Sequence, residues 1–182
     1  MEVELSEEII SSTEVYSGRI VKLREDQVRL PDGARAQREI VEHSGGVTIV
    51  PYLEDTQEII LVRQYRSPLA KIMLELPAGL LEENETPGDC AQRELAEETG
   101  YQAENWKKIG SFYTSPGFCN EKIHLYLARG LKEYQQHTDE DEFIEIVKLS
   151  LNEAQEKLYT AQMADAKTII GLQYLFNYCS GG

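Results

Sequence analysis

The sequence predicts a mixed α/β fold, either α/β with a mixed sheet or α+β, and three observations support this prediction. The first third of the 182 residues carries short runs rich in valine, isoleucine and leucine, separated by turn residues. A helix-like segment follows near the middle of the chain, strand-like runs return after it, and two helices finish the sequence. These elements show no regular strand-helix-strand rhythm, which disfavours a fully parallel sheet.

The amino-terminal third is predicted to contain a β-hairpin. Residues 20–30 form the first strand-like run, Pro31-Asp32-Gly33 supplies turn chemistry, and residues 36–42 form the second run. The glycine pair Gly45-Gly46 then separates this hairpin from the rest of the chain. We therefore expect two parts, an N-terminal β subdomain over residues 1–43 and a larger domain over residues 44–182.

The larger domain is predicted to contain five more strands and three helices. The strands are expected over residues 47–52, 58–66, 106–113, 123–128 and 143–149. The helices are expected over residues 86–100, 151–160 and 165–178. In the first helix, Thr86 suits the N-cap and Pro87 the first helical position, Asp89 can complete a capping-box-like arrangement, and Gly100 fits the position after the last turn.

The balance of charge disfavours a nucleic-acid partner. The chain has 32 acidic against 18 basic residues and a net charge of −14. A polyanion would meet a repulsive field and release few counterions on binding. An anionic small molecule is compatible with this charge only where metal ions or gathered arginines offset the repulsion.

The termini and the cysteines predict a cytoplasmic protein with no membrane attachment. The amino terminus is acidic and lacks the pattern of a signal peptide, and no apolar run approaches the ~20 residues of a membrane helix. The three cysteines, Cys90, Cys119 and Cys179, contain no CxxC pair. They indicate reduced thiols, neither a disulfide framework nor a zinc site.

Three glutamates on the first predicted helix form the most informative cluster. Glu94, Glu97 and Glu98 stand at positions i, i+3 and i+4, so they share one helix face. Arg93 precedes Glu97 by one helical turn and can offset part of their mutual repulsion. The remaining negative charge favours a divalent cation, and oxygen-only ligands favour Mg2+ or Mn2+ over zinc. Taken alone, however, such a cluster is more often a solvated acidic helix face.

The pattern around this cluster decides between the two interpretations. Within residues 79–101, GLLEENETPGDCAQRELAEETGY, every fixed position matches the Nudix box: a glycine, then Glu85, then the arginine and glutamates at the required spacing, a second glycine and an apolar position occupied by Tyr101. The chain therefore resembles the Nudix hydrolases. The resemblance implies an α/β/α sandwich with a mixed central sheet. It also implies Mg2+-dependent cleavage of a nucleoside diphosphate linked to another group.

The resemblance implies roles for the residues of the box. Glu94 and Glu98 would be the main metal ligands together with the Ala78 carbonyl, and Glu97 would be a further ligand or a catalytic group behind them. Arg93 would act with Glu85 to lock the loop onto the helix. Two or three Mg2+ ions per site are implied, with Mn2+ as a possible substitute.

Features outside the box resemble the ADP-ribose pyrophosphatase branch of the family. Glu75-Leu76-Pro77-Ala78-Gly79 leads into the box, and Pro116 follows it within Ser115-Pro116-Gly117-Phe118. Arg66 would clamp the substrate phosphate. The substrate-binding residues implied by the resemblance are Arg38, Glu39, Arg66, Leu80, Ser115, Pro116, Gly117 and Glu121.

The acidic run over residues 139–145 resembles the catalytic loop of that branch. Glu142 is the first candidate for the base that accepts the proton of the attacking water, and Glu140 is the second. Glu142 would also be a metal ligand. A loop of this kind can close only over substrate.

The hypothesis is hydrolysis of the pyrophosphate bond of ADP-ribose to AMP and ribose 5-phosphate. Base preference stays open, because Arg19-Ile20-Val21 stands where the branch often has an aromatic ring. Tyr16, Tyr113 and Trp106 are expected in the core instead. The alternatives are a hydrolase of another nucleoside diphosphate sugar or a dinucleotide, such as GDP-mannose or NADH, and a non-catalytic ADP-ribose sensor. The intact box disfavours the sensor.

The resemblance also implies a homodimer in which the N-terminal β subdomain is exchanged with the partner. A two-stranded hairpin is marginally stable alone and needs a surface to pack on. Packing on a second copy of the chain is consistent with that need.

Overall fold

The computed structural model describes residues 5–135 and 143–180, and its contacts divide the chain into two compact units. Unit 1 comprises Met1–Gly45 and Tyr113–Lys122, and unit 2 comprises Gly46–Phe112 and Ile123–Gly182. Nothing in the sequence pattern indicated that residues 113–122 belong with the amino-terminal unit.

Unit 1 contains a three-stranded antiparallel sheet in the order β1-β2-β3, formed by β1 (Glu8–Ser17), β2 (Lys22–Arg29) and β3 (Arg35–Glu42). The predicted hairpin is therefore present as β2 and β3. Strand β1 was not predicted from the sequence. Every residue of β1 is exposed, so the strand lacks the alternation of buried and exposed positions that reveals a half-buried strand.

Unit 2 contains a mixed seven-stranded sheet. Its strands are β4 (Gly46–Leu53), β5 (Glu58–Arg66), β6 (Lys71–Glu75), β7 (Ala78–Leu80), β8 (Tyr101–Tyr113), β9 (Lys122–Glu133) and β10 (Glu145–Ser150). The main order is β10-β5-β4-β9-β8, with β6 paired to β5 and β7 paired to β4. Strands β4 and β9 are parallel, whereas β4 and β5 are antiparallel, which confirms the predicted mixed sheet.

Helices cover both faces of this sheet, which confirms the predicted α/β/α sandwich. They are α1 (Pro87–Thr99), α2 (Leu151–Tyr159) and α3 (Ala166–Cys179). Alternate residues of the central strands point to opposite faces. One face packs against α1 in a cluster of Val47, Ile49, Ile60, Cys90, Ala91 and Leu95. The other face packs against α2 and α3 in a cluster of Val50, Tyr52, Leu61, Leu125, Ala154, Leu172 and Leu175. Because β4 and β5 are covered on both faces, they consist largely of consecutive apolar residues.

Several strand boundaries differ from the sequence prediction. Strand β8 begins at Tyr101, directly after the helix, and β9 continues to Glu133, whereas the predicted strands covered residues 106–113 and 123–128. The short strands β6 and β7 were not predicted. With five and three residues, they are too short to show a periodic pattern.

Helix α1 has the ends that its sequence predicts. Thr86 is the N-cap, and its hydroxyl oxygen accepts a hydrogen bond from the Asp89 backbone N–H at 3.3 Å. In a full capping box, the side chain three residues after the N-cap accepts from the backbone N–H of the N-cap residue. Here the Asp89 carboxylate accepts instead from the Thr86 hydroxyl, at 2.7 Å. Gly100 ends the helix with φ of 66°, a left-handed conformation that glycine adopts without steric cost.

Two of the three aromatic residues expected in the core lie on the surface. Tyr16 is 59% exposed and Tyr113 is 55% exposed, so this expectation was wrong for both. Trp106 is partly buried and packs edge-to-face on Tyr126. No helix among residues 5–135 and 143–180 is both long enough and apolar enough to span a membrane.

Candidate active site

Arg93 joins the loop and the helix of the box into one unit. Its Nε and Nη2 atoms donate to the two carboxylate oxygens of Glu85 at 2.9 and 3.0 Å. Its Nη1 atom donates to Glu94 at 2.7 Å and to Glu97 at 2.9 Å. Hydrogen bonding from Arg93 lowers the pKa of Glu85 to about 2. Bonding to Glu85 raises the pKa of Arg93 in turn, and Glu94 and Glu97 add to that shift. One guanidinium thus binds three of the box carboxylates.

The Leu80 carbonyl is a second anchor of the loop. It accepts hydrogen bonds from Nη2 of Arg93 at 3.2 Å and from the thiol of Cys90 at 3.3 Å. Burial raises the pKa of the Cys90 thiol, so it remains a neutral donor. Leu80 was predicted to contact substrate, and 42% of this residue is exposed to solvent. The bond from Cys90 was not anticipated from the sequence, where Cys90 was interpreted only as a reduced thiol.

Glu98 lies beside Ala78, the other predicted metal-ligating position. Glu98 is only 3% exposed, and its Oε2 atom accepts a hydrogen bond from the Ala78 backbone N–H at 3.0 Å. Strand pairing with Thr48 fixes Ala78 at the start of β7. The last turn of α1 and the strand that enters the box therefore meet at this hydrogen bond.

Gly79 allows the carboxylate of Glu94 to lie directly over the backbone of β7. A Cβ atom built on Gly79 would be 1.8 Å from the Glu94 carboxyl carbon. Any other residue would therefore displace this side chain. This contact gives a physical reason for glycine at the first position of the box.

The donor set around Gly79 fits a hard divalent cation. Its members are carboxylate oxygens from Glu94, Glu97 and Glu98 and the backbone of Ala78, with no sulfur or imidazole ligand. Each of these carboxylates accepts a hydrogen bond from an N–H group of the protein. Among residues 5–135 and 143–180, no three acidic, histidine or cysteine side chains converge on one point. The same oxygens could hold a cation in place of these donors.

Gly79→Ala is expected to lower turnover strongly with little effect on folding. The new methyl group would displace the Glu94 carboxylate, which is the far end of a flexible side chain and can move at low cost. We expect kcat to fall by about 10–100-fold, the range for disturbing groups around a metal site. Activity and urea unfolding should be measured together.

Gly88→Ala is the matched control for this change. Gly88 lies in the first turn of α1, and a Cβ there meets nothing nearer than the Thr86 hydroxyl at 3.9 Å. This variant should retain full activity and gain up to about 1 kcal/mol of stability, since alanine favours the helix. Equal activity of the two variants would contradict the role given to the Glu94 position.

Arg66, at the end of β5, is held by a buried carboxylate. Its Nε and Nη2 atoms donate to the two oxygens of Glu75 at 2.9 and 2.8 Å. This bonding raises the pKa of Arg66, and the charge of Glu98 adds to the shift. Arg66 therefore lies close enough to the box to interact electrostatically with it. Arg66 was predicted from the sequence as a candidate phosphate clamp, whereas its partner Glu75 was not.

Three of the predicted substrate residues line one concave surface of unit 1. Arg38, Glu39 and Gly117 border a shallow cavity of about 430 Å³, next to Phe118. The guanidinium of Arg38 donates to both carboxylate oxygens of Glu7, at 2.5 and 3.1 Å, and this bonding raises its pKa.

The remaining predicted residues of unit 1 lie in a turn over residues 114–121. The Ser115 carbonyl accepts from the backbone N–H groups of Phe118 and Cys119, which closes the turn around Pro116. Glu121 accepts a hydrogen bond from the Thr114 hydroxyl at 2.5 Å. Glu140 and Glu142 lie outside the described residues, so their predicted role as base stays a prediction.

An α/β/α sandwich that places carboxylates and an arginine around one glycine of a loop-helix segment defines a class of protein whose oxygen donors suit a hard divalent cation. The comparisons with known proteins agree with this class. A NUDIX domain matches residues 42–170, and a nucleoside diphosphate sugar hydrolase N-terminal domain matches residues 7–41. The chain belongs to the Nudix family.

Two curated relatives and one solved structure cover nearly the whole chain. A protein of Bacillus methanolicus named methanol dehydrogenase activator is 46% identical over 171 residues, which are 93% of this chain and 92% of that protein. The ADP-ribose pyrophosphatase of Bacillus subtilis is 42% identical over 173 residues, 94% of this chain and 93% of that protein. A crystal structure of an ADP compounds hydrolase superposes with a TM-score of 0.86 at 22% identity, covering 98% of this chain and 97% of that one, and confirms the fold.

Proposed function

We propose that this protein hydrolyses the pyrophosphate bond of ADP-ribose to AMP and ribose 5-phosphate with Mg2+ as its cofactor. The observation that carries the proposal is the arrangement of the box, where the Glu94 carboxylate lies over Gly79 and the Glu98 carboxylate accepts a hydrogen bond from the Ala78 N–H. The likeness to an ADP-ribose pyrophosphatase over 94% of the chain supports the choice of substrate.

The proposed mechanism assigns a separate task to each group of residues. Glu94, Glu98 and the Ala78 carbonyl would hold the cation, with Glu97 beside them. Bound Mg2+ would neutralise phosphate oxygens and acidify water. Arg66 would bind an oxygen of the diphosphate and stabilise the charge that develops there.

The substrate contacts of unit 1 belong to the same proposal. Arg38, Glu39, the Ser115-Pro116-Gly117 turn and Glu121 are proposed as nucleotide-binding residues. Leu80 is proposed separately, as a substrate-binding residue of the box. Arg38 would first have to exchange the two hydrogen bonds that it donates to Glu7 for bonds to substrate. The exchange requires only movement of exposed side chains, so its cost is small.

The substrate proposal is tested by parallel assays on ADP-ribose, GDP-mannose, NADH and dGTP, each with Mg2+ and with EDTA. AMP and ribose 5-phosphate should form fastest from ADP-ribose, and EDTA should abolish the reaction. Faster cleavage of GDP-mannose or NADH would support the proposed Nudix reaction but show that ADP-ribose is not the preferred substrate. Binding of ADP-ribose without cleavage would support a sensor. Titration with Mg2+ and Mn2+ would identify the better activator. It would also give the number of ions bound per site, which we propose is two or three.

Glu142→Gln is expected to lower kcat by roughly 10²–10⁴-fold, the contribution of a general base. The effect on the Mg2+ concentration needed for half-maximal activity should be smaller. Glu140→Gln should have the lesser effect on kcat, since Glu140 is the second candidate. Asp139→Asn removes a charge from the same acidic run and is the matched control. A normal kcat for Glu142→Gln at saturating Mg2+ would show that another residue is the base.

We also propose a homodimer located in the cytoplasm. Exposed apolar side chains on and near β1 support an exchanged amino-terminal subdomain, namely Ile9, Ile10, Val15 and Tyr16. All three cysteines are free, as expected for a reducing compartment. Light scattering of the purified protein would distinguish a dimer from a monomer.

A further inference from the structure

Glu75, the last residue of β6, is a buried carboxylate to which the proposed mechanism assigns no task. Its side chain is only 2% exposed. An ionised carboxylate is costly to bury unless cations and hydrogen-bond donors surround it. Arg66 supplies two hydrogen bonds, and Nζ of Lys167 lies 3.4 Å from Oε2 of Glu75. The carboxylate is therefore paired with two cations.

The bidentate bond fixes the plane and the rotation of the Arg66 guanidinium. Two of its three nitrogens are bound to Glu75. In the part of the chain that the structure describes, Nη1 of Arg66 has no hydrogen-bond partner, and 37% of the side chain is exposed. Arg66 also interacts with the charge of Glu98 in the box. One edge of the guanidinium is thus held in place, and the other can accept a ligand.

Glu75 is attached in turn to the first turn of α3. Lys167 pairs with Asp165 at 2.7 Å as well as with Glu75. Asp165 caps α3 by accepting from the backbone N–H of Thr168 at 2.9 Å. The Thr168 hydroxyl oxygen accepts from the backbone N–H of Leu76 at 2.8 Å. The support for Arg66 therefore reaches a regular helix, which fixes side chains more firmly than a loop does.

We propose that Glu75 is a positioning residue, which orients Arg66 so that Nη1 meets the diphosphate of the substrate, and that Lys167 holds Glu75 in place. This inference rests on the proposed function of Arg66 as a phosphate clamp. An arginine that is oriented before substrate binds spends no free energy on reorganisation during the reaction. A displacement of about 1 Å at such a group can cost roughly 10²-fold in rate.

The test is a double-mutant cycle of Glu75→Gln and Arg66→Gln. Glutamine keeps the size of Glu75 but has one acceptor oxygen instead of two, so the bidentate bond is lost. We expect each single variant to lower kcat/KM by about 10–100-fold. Because Glu75 acts through Arg66, the double variant should be no worse than Arg66→Gln alone. The substrate is whichever of the four compounds the wild-type protein cleaves fastest.

Glu8→Gln is the matched control. Glu8 pairs with Arg29 at 3.0 Å, but its side chain is 69% exposed. This variant should retain wild-type kcat and KM, since an exposed pair contributes little. Urea unfolding of all variants separates loss of activity from loss of folded protein.

Additive losses in the cycle, or full activity of Glu75→Gln, would overturn the proposal. If Glu75→Gln does not fold, Glu75→Asp keeps the charge but draws it back by one methylene group. The kcat/KM of this variant should fall several-fold at a temperature where the protein is folded. A normal kcat/KM would refute the inference. If the wild-type protein cleaves none of the compounds, the proposed function fails. The Kd for ADP-ribose is then measured by calorimetry for the same four proteins. The effects of the two substitutions on this Kd should again be non-additive.

Discussion

Glu98→Gln is expected to lose most of the turnover while the protein keeps its fold. Glu98 is 3% exposed and accepts a hydrogen bond from the Ala78 N–H. The amide oxygen of glutamine can accept the same bond, so the last turn of α1 stays attached to β7. The negative charge proposed to bind Mg2+ is removed. We expect kcat to fall by roughly 10²–10³-fold, as when a group that stabilises transition-state charge is lost.

The Mg2+ dependence separates this explanation from a general loss of structure. The Mg2+ concentration needed for half-maximal activity should rise for Glu98→Gln, while the urea midpoint should change little. Asp89→Asn is the control, because it removes a negative charge from an exposed position of the same helix. That variant should keep its activity and lose some stability, since Asp89 contacts the N-cap. A normal Mg2+ requirement and kcat in Glu98→Gln would contradict its proposed role as a ligand.

Arg93→Met is expected to abolish most activity and also to destabilise the protein. Methionine keeps an apolar stem but leaves Glu85, Glu94 and Glu97 without their shared cation. Loss of one partner from a fully buried pair costs about 3–5 kcal/mol. Because 26% of the Arg93 side chain is exposed, we expect about 2–3 kcal/mol here. We expect kcat to fall at least 10²-fold, because the carboxylates and the loop would move.

The pH dependence of stability gives a sharper test of the same variant. Arg93 lowers the pKa of Glu85 from 4.5 to about 2. A carboxylate with a lowered pKa in the folded state stabilises the protein above its unfolded pKa, and this contribution disappears as the pH falls through the folded value. The stability difference between wild type and Arg93→Met should therefore be largest above about pH 5 and shrink towards pH 2.

Urea unfolding at pH 6, 4 and 3 would measure this change. Arg63→Met is the control, because Arg63 pairs with Glu145 on the surface and should contribute less than about 1 kcal/mol. A stability difference between wild type and Arg93→Met that stays constant over this pH range would contradict the assigned pairing with Glu85.

Features that depend on residues close together in the chain could be predicted from the sequence. The ends of α1 were predicted because the capping groups Thr86 and Gly100 act within one turn of the helix. The shared face of Glu94, Glu97 and Glu98 follows from helical spacing alone. The buried strands β4 and β5 were found because their apolar runs are continuous.

Features that join distant parts of the chain could not be predicted and became visible only in the folded structure. Strand β1 has no buried face, and it exists through its pairing with β2. The segment 113–122 belongs to unit 1 because its backbone bonds to Val41. The attachment of Glu75 to Lys167 spans 92 positions of sequence. The physical reason is that caps and periodicity record local interactions, whereas strand pairing and buried charge pairs form between residues whose proximity is established only by the folded chain.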